Sequence, residues 1–325
     1  MARLTAGPFP FMLRDQPARL VSPKPLATRR KDDVRSEEKE YVINHGDVLL
    51  FKFNVQMIDL ARVNEAVDQG WAQVRNTPGY LSEREARFIM TALALAPAEG
   101  ANVEIGSFKG RSTVGLGTVA RILGLDPVHA IDPHTSPSTT DPNLNGATTS
   151  YDDFVTHLER AGASAHVVPH RAFSHDVAKT WTKPIRFLWV DGDHTYNGAH
   201  ADIEMFKPFL ADGAVVAMHD VLGTFEGSLR VFVEDVLESN DFGAAGFSGS
   251  IGWAQFRPKD GHALRHRVQR GLLAIPARRL IPVAQSGRNL AGWNKYVYKF
   301  WRPLAPHGDV NTARLMRRLG AMRPD

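Results

Sequence analysis

The 325-residue sequence contains no cysteine, which removes disulfide frameworks, thiolate zinc sites and iron–sulfur clusters and suits a cytoplasmic setting. No run approaches the roughly 18 consecutive apolar residues that a bilayer-crossing helix needs. Phe9-Pro10-Phe11-Met12-Leu13 is not followed by a long apolar segment and cleavage site, so export is not expected. Internal repeats are missing as well. Acidic residues are scarce in one region only: residues 259–325 hold 14 Lys and Arg against 3 Asp and Glu, a net +11, and residues 1–258 carry −7. That asymmetry directs any anionic partner to the tail.

What is present suffices for a full core, since 43% of the residues are hydrophobic, and the length suggests one large domain with appendages. Residues 1–36 combine Pro8, Pro10, Pro17, Pro23 and Pro25 with Arg29-Arg30-Lys31, the composition of a flexible arm. Across residues 37–80, Val55, Ile58, Leu60, Val63, Val67 and Trp71 fall at helical spacing and predict a helical cap. Ser82-Glu83-Arg84-Glu85 matches a capping box ahead of Ala86, Phe88, Ile89 and Leu93. From there to residue 258, strand-like runs at 102–106, 128–132, 165–169, 185–191 and 213–219 alternate with helical patterns. This is the rhythm of a doubly wound, Rossmann-like, mostly parallel α/β sheet.

The most informative run is Val103-Glu104-Ile105-Gly106-Ser107-Phe108-Lys109-Gly110, an apolar strand entering an acid and a glycine-punctuated turn. Gly106 and Gly110 allow a sharp bend and a close backbone approach, and Arg111-Ser112-Thr113 open a helix with unpaired N–H groups. The next strand ends in Asp132, placed to accept hydrogen bonds from ribose hydroxyls. A dinucleotide site would carry G-x-G-x-x-G, whereas this chain has G-x-x-x-G behind Glu104, which favours S-adenosylmethionine over NAD. Two further strands deliver Asp191-Gly192-Asp193-His194-Thr195-Tyr196 and His219-Asp220.

Together these segments closely resemble the class I S-adenosylmethionine-dependent methyltransferases, in the branch of small-molecule and sugar O-methyltransferases with D-G-D-H-x-Y followed by H-D. The resemblance covers residues 78–257. It implies that Glu104, Gly106, Ser107 and Gly110 cradle the cofactor, that Asp132 binds the ribose, and that Ala172 and Phe173 line the adenine. It also implies that Asp191, His219 and Asp220 are placed to hold Mg²⁺ or Mn²⁺, the imidazole shifting preference toward Mn²⁺. The competing assignment makes His194 or His219 a metal-free general base beside Asp191. Ordinary structural roles are the bland alternative, with His194 capping a helix and His219 in the core.

The implied acceptor is a small-molecule or lipid-linked hydroxyl, on a sugar, glycolipid or natural product. Two rivals stay open: a non-catalytic, cofactor-binding, membrane-associated scaffold, and a metal-dependent hydrolase using Asp191, Asp193, His194, His219 and Asp220. Residues 135–146, rich in Ser, Thr, Pro and Asn, read as a substrate lid or a linker. In the basic C-terminal extension, Trp293, Tyr296, Val297, Phe300 and Trp301 share one helical arc. The arc suits an anionic membrane surface, which would place the protein peripherally at the inner face of a membrane, or it packs on the chain's own core or in a homo-oligomer. No recognised RNA-binding motif accompanies the charge, so nucleic acid ranks behind these.

Overall fold

The computed structural model describes residues 59–135, 149–223, 225–284, 290, 292–309 and 311–320, together with the backbone of 19–21 and 40–42. The remainder of the arm, residues 37–39 and 43–58 of the cap and nearly all of the 135–146 segment lie outside the described residues. The chain divides into two units, 1–56 and 57–325. In the first, β1 (Arg19–Val21) pairs antiparallel with β2 (Glu40–Val42).

The second unit opens with α1 (Leu60–Val74), where the Asp59 side chain accepts from the N–H groups of Ala61 and Arg62. The expected capping box starts α2 (Glu83–Leu95). A seven-stranded sheet follows, in the order β5-β4-β3-β6-β7-β9-β8. Its five parallel strands are β3 (Ala101–Ile105), β4 (Val128–Ile131), β5 (Val167–His170), β6 (Ile185–Val190) and β7 (Leu210–Met218). They are linked by α3 (Arg111–Leu123), α4 (Tyr151–Arg160), α5 (Ser174–Thr180) and α6 (Tyr196–Phe206). After α7 (Glu226–Val231), β8 (Phe242–Ser248) and β9 (Ile251–Phe256) close the edge, β9 antiparallel to both neighbours.

Side chains alternate across a strand, so a sheet covered on both faces is apolar in both registers. Val103, Ile105, Leu188, Val190, Val216 and Met218 enter one core; Phe187, Trp189, Val215 and Ala217 enter the other. The first core also takes Leu273, Ala277 and Leu280 of α8 (Leu264–Ala284), and the second takes Leu315, Met316 and Leu319 of α10 (Thr312–Leu319). Arg270 is buried and donates to the carbonyls of Leu237, Ser239 and Gly261. The basic extension is therefore built into the same core as the sheet. In α9 (Gly292–Trp301) the aromatic arc divides: Trp301 packs against the core, whereas Trp293, Tyr296 and Phe300 stand exposed.

Strand order reverses at the β3–β6 pair, where successive connections leave in opposite directions and a crevice opens at the carboxyl ends. Backbone bonds beyond the strands hold the four strand-end motifs in line. Asp191 N–H donates to Ile105 (2.8 Å), His219 N–H to Val190 (3.0 Å), Gly106 N–H to Ile131 (2.9 Å) and Asp132 N–H to His170 (3.1 Å).

Candidate active site

At this crevice lies a cavity of about 450 Å³. Its walls come from Pro78-Gly79-Tyr80-Leu81, from Glu85 of α2, from the turn Gly106 to Lys109, and from Asp191, His194, His219, Asp220, Phe225 and Ser250. Gly106 has φ 86°, and a Cβ there would lie 2.1 Å from the Asp191 carbonyl oxygen, so only glycine lets the ends of β3 and β6 meet. Phe108 (φ 45°) and Asp220 (φ 54°) also occupy the left-handed region, and both face the cavity. Such residues cost roughly 1–3 kcal/mol each and cluster where a site must be held in shape.

Two acids brace the turn from behind. Asp132 Oδ2 accepts from the N–H groups of Ser107 (2.9 Å) and Phe108 (2.8 Å), and its Oδ1 from His134 N–H (2.7 Å). Glu104 is fully buried; its Oε2 accepts from the hydroxyls of Ser107 (3.1 Å) and Thr113, and its Oε1 has no hydrogen-bond partner. Burial pushes the Glu104 carboxyl up to about 7 despite the hydroxyls of Ser112, Thr113 and Ser107, with the Asp191 charge adding to the rise. Neither acid is among the cavity-lining residues.

In front of the turn, charges converge. His219 Nδ1 lies 2.9 Å from Asp191 Oδ1 and 3.7 Å from Asp220 Oδ2, and its Nε2 lies 3.9 Å from Glu85 Oε2. Burial alone would strip this imidazole of its proton, but the charges of Asp191, Glu85 and Asp220 raise its pKa well above the ordinary value. These carboxylates therefore favour the protonated form of His219. Burial opposes ionisation of Asp191, yet His219 and His194 hold its pKa below normal; at Asp220 burial prevails and the pKa is raised. His194 Nε2 lies 3.5 Å from both Asp191 Oδ1 and Asp220 Oδ2, its ring stacked on Phe225 at 4.6 Å.

Glu85 was legible in the sequence only as a helix cap. In the fold, Oε2 accepts from Ser82 N–H (3.0 Å) and Oγ (2.7 Å), and Oε1 accepts from Ser250 N–H (2.8 Å) and Oγ (2.7 Å). Burial works against its charge, but His219, Ser82 and Ser250 hold its pKa well below the carboxylate range. Tyr80, Leu81 and Phe225 are further wall residues without a sequence signal of their own, and Phe108 joins them from the glycine turn.

Among the described residues, one cluster has metal-ligand spacing: donor atoms of Asp191, His194 and His219 lie within 4.8 Å of one another. This set has His194 where the sequence suggested Asp220. Asp193 stands apart, its carboxylate accepting from Thr195 N–H and Oγ1 (both 3.0 Å) at the start of α6. Gly110 is the left-handed N-cap of α3 against Phe154. Ala172 is half-buried against the core, and Phe173 is exposed and stacked on His175; neither lines this cavity.

Residues 103–221 match the family model described as a methyltransferase domain. Solved structures with similarity to the chain include a cofactor-bound protein from MTB, Rv0187, at 18% identity over 61% of this chain and 91% of that one, TM-score 0.44. An O-methyltransferase from Bacillus cereus in complex with SAH matches at 17% identity over 60% and 90%, TM-score 0.41. The O-methyltransferase TomG from Streptomyces achromogenes, involved in tomaymycin synthesis and in complex with SAM, matches at 16% over 63% and 100%, TM-score 0.42. The span that matches the methyltransferase-domain model contains the glycine turn, Asp132, Asp191, His194, His219 and Asp220.

Proposed function

We propose that the protein is an S-adenosylmethionine-dependent O-methyltransferase acting on a hydroxyl of a sugar, a glycolipid or another natural product. The observation that carries this reading is the switch-point cavity, where the Gly106 turn meets Asp191, His194, His219 and Asp220 inside a methyltransferase domain. Its lining fits the cofactor. Glu85, Asp191 and Asp220 supply negative charge toward a sulfonium cation, and Tyr80, Phe108 and Phe225 supply aromatic faces. Beyond the bonds to Ser107, Phe108 and His134, Asp132 keeps one lone pair on Oδ1, which is left for a ribose hydroxyl. Ala172 and Phe173, which lie outside this cavity, are assigned to the adenine by the family resemblance alone.

S-Adenosylmethionine supplies an electrophilic methyl group. The chain's task is to hold the acceptor oxygen in line with it and to take the proton that this oxygen loses. His194 is assigned that proton, because Asp191 and Asp220 at 3.5 Å stabilise the imidazolium it becomes. His219 positions Asp191 through their 2.9 Å contact.

A second reading is supported by the ligand spacing of Asp191, His194 and His219. These residues, with Asp220 beside them, would hold Mn²⁺ or Mg²⁺, and such an ion would acidify the acceptor hydroxyl.

The test is incubation of the full chain with methyl-labelled S-adenosylmethionine and hydroxyl-bearing cell extract, followed by mass spectrometry for labelled products. A labelled product that survives exhaustive EDTA and disappears in His194→Ala supports base catalysis; loss to EDTA with recovery on Mn²⁺ supports the metal. Binding of S-adenosylhomocysteine without any labelled product would instead favour a non-catalytic scaffold.

A further inference from the structure

Among the described residues, exposed apolar side chains are concentrated in one part of the chain. Among the described residues eleven large hydrophobic side chains are exposed, and eight of them lie between positions 264 and 304. On α8, Leu264, Val268, Leu272 and Ile275 are each more than half exposed. At about 100° per residue they occupy one stripe roughly 80° wide. Arg265 borders one edge of the stripe and Arg267 and Arg278 the other, all three exposed. On α9, which packs against α8, Trp293, Tyr296 and Phe300 form a second exposed stripe, with Lys295 and Lys299 also exposed. The opposite faces are engaged: Leu273, Ala277 and Leu280 enter the core, and Tyr298 donates to the Leu222 carbonyl at 2.9 Å.

Charge identifies what covers these stripes. No Asp or Glu occurs between Asp260 and Asp309, a stretch with nine Lys and Arg. Arg278 pairs with Glu238 and Arg265 lies 3.6 Å from Asp260, yet the surface stays net basic, and a second copy of the chain would bring it against its own like, which like-charge juxtaposition disfavours. An anionic lipid surface satisfies both features, taking apolar and aromatic side chains into the acyl boundary while arginines and lysines meet the headgroups. No helix among the described residues is long and apolar enough to cross a membrane, so the arrangement suits lying on a bilayer. We infer that α8 and α9 form an interfacial docking surface for anionic membranes. The inference is independent of the methyl-transfer reading, and its test requires no activity.

Full-length protein is sedimented with vesicles of phosphatidylcholine alone and with vesicles containing phosphatidylglycerol. Binding is expected to the anionic vesicles only, reduced by salt, and weakened roughly fivefold for each of Arg265→Ala and Arg267→Ala. The double variants Leu272→Glu/Ile275→Glu and Trp293→Ser/Phe300→Ser alter only exposed positions. Each should keep the wild-type melting temperature and lose at least about tenfold in vesicle binding. Failure of the wild type to bind anionic vesicles overturns the inference. So does binding that both folded double variants retain unchanged. Sedimentation equilibrium supplies the remaining outcome: a dimer broken by the same variants, without vesicle binding, would make the surface a contact between copies.

Discussion

Glu104 shows how burial turns an acid into a structural load. Its carboxyl is fully enclosed and its pKa moves from 4.5 to about 7. An acid whose folded pKa is raised binds more protons folded than unfolded between those values, so the contribution of Glu104 to stability is greatest below pH 4.5 and declines as pH rises toward 7. The decline amounts to about 3 kcal/mol. Glu104→Gln removes the ionisation, and urea unfolding should show the variant gaining on wild type by about that amount from pH 4.5 to pH 8. A wild-type-like pH profile in the variant would mean that Glu104 titrates normally. Other residues differ in how much of their role was legible. Asp191, His219 and Asp220 stand out because each ends an apolar strand. Glu85 does not, since its capping role closes within three residues while its other partner, Ser250, is 165 positions away. The upward pKa shift at His219 was equally hidden, because only the convergence of Asp191, Glu85 and Asp220 produces it.

Among the elements, the turn after β3 is held at both ends by glycine for different reasons: contact with the Asp191 backbone at Gly106, and a left-handed helix cap at Gly110. Gly106→Ala should destabilise the protein by more than about 3 kcal/mol, since neither strand end can move without breaking sheet bonds. Thermal or urea unfolding measures this, and a loss below about 1 kcal/mol would show that the turn relaxes freely. Strands β3, β4, β6 and β7 were readable because both of their faces are buried, leaving short apolar runs. Strand β8 was not, since its centre is Gly243-Ala244-Ala245-Gly246, without the β-branched bulk that marks a strand. In α8 the internal Pro276 and Pro282 interrupt the usual helical signal.

For the whole molecule, composition separates a basic tail from an acidic body, yet packing joins them. Leu273, Leu280, Leu315 and Leu319 are each worth roughly 1.5–3 kcal/mol in burial. A chain ending at Arg257 should therefore fail to unfold cooperatively in calorimetry; a truncated protein with a wild-type transition would contradict the shared core. The central claim concerns the crevice at the strand reversal. Isothermal titration of the full chain with S-adenosylhomocysteine tests it most directly. One saturable site per chain is predicted, weakened by about 1.5–3 kcal/mol in folded Asp132→Ala, which lacks the carboxylate that pins the turn. Folded wild-type protein that takes up no ligand at about 1 mM, a concentration at which even a 4 kcal/mol interaction is visible, would contradict it.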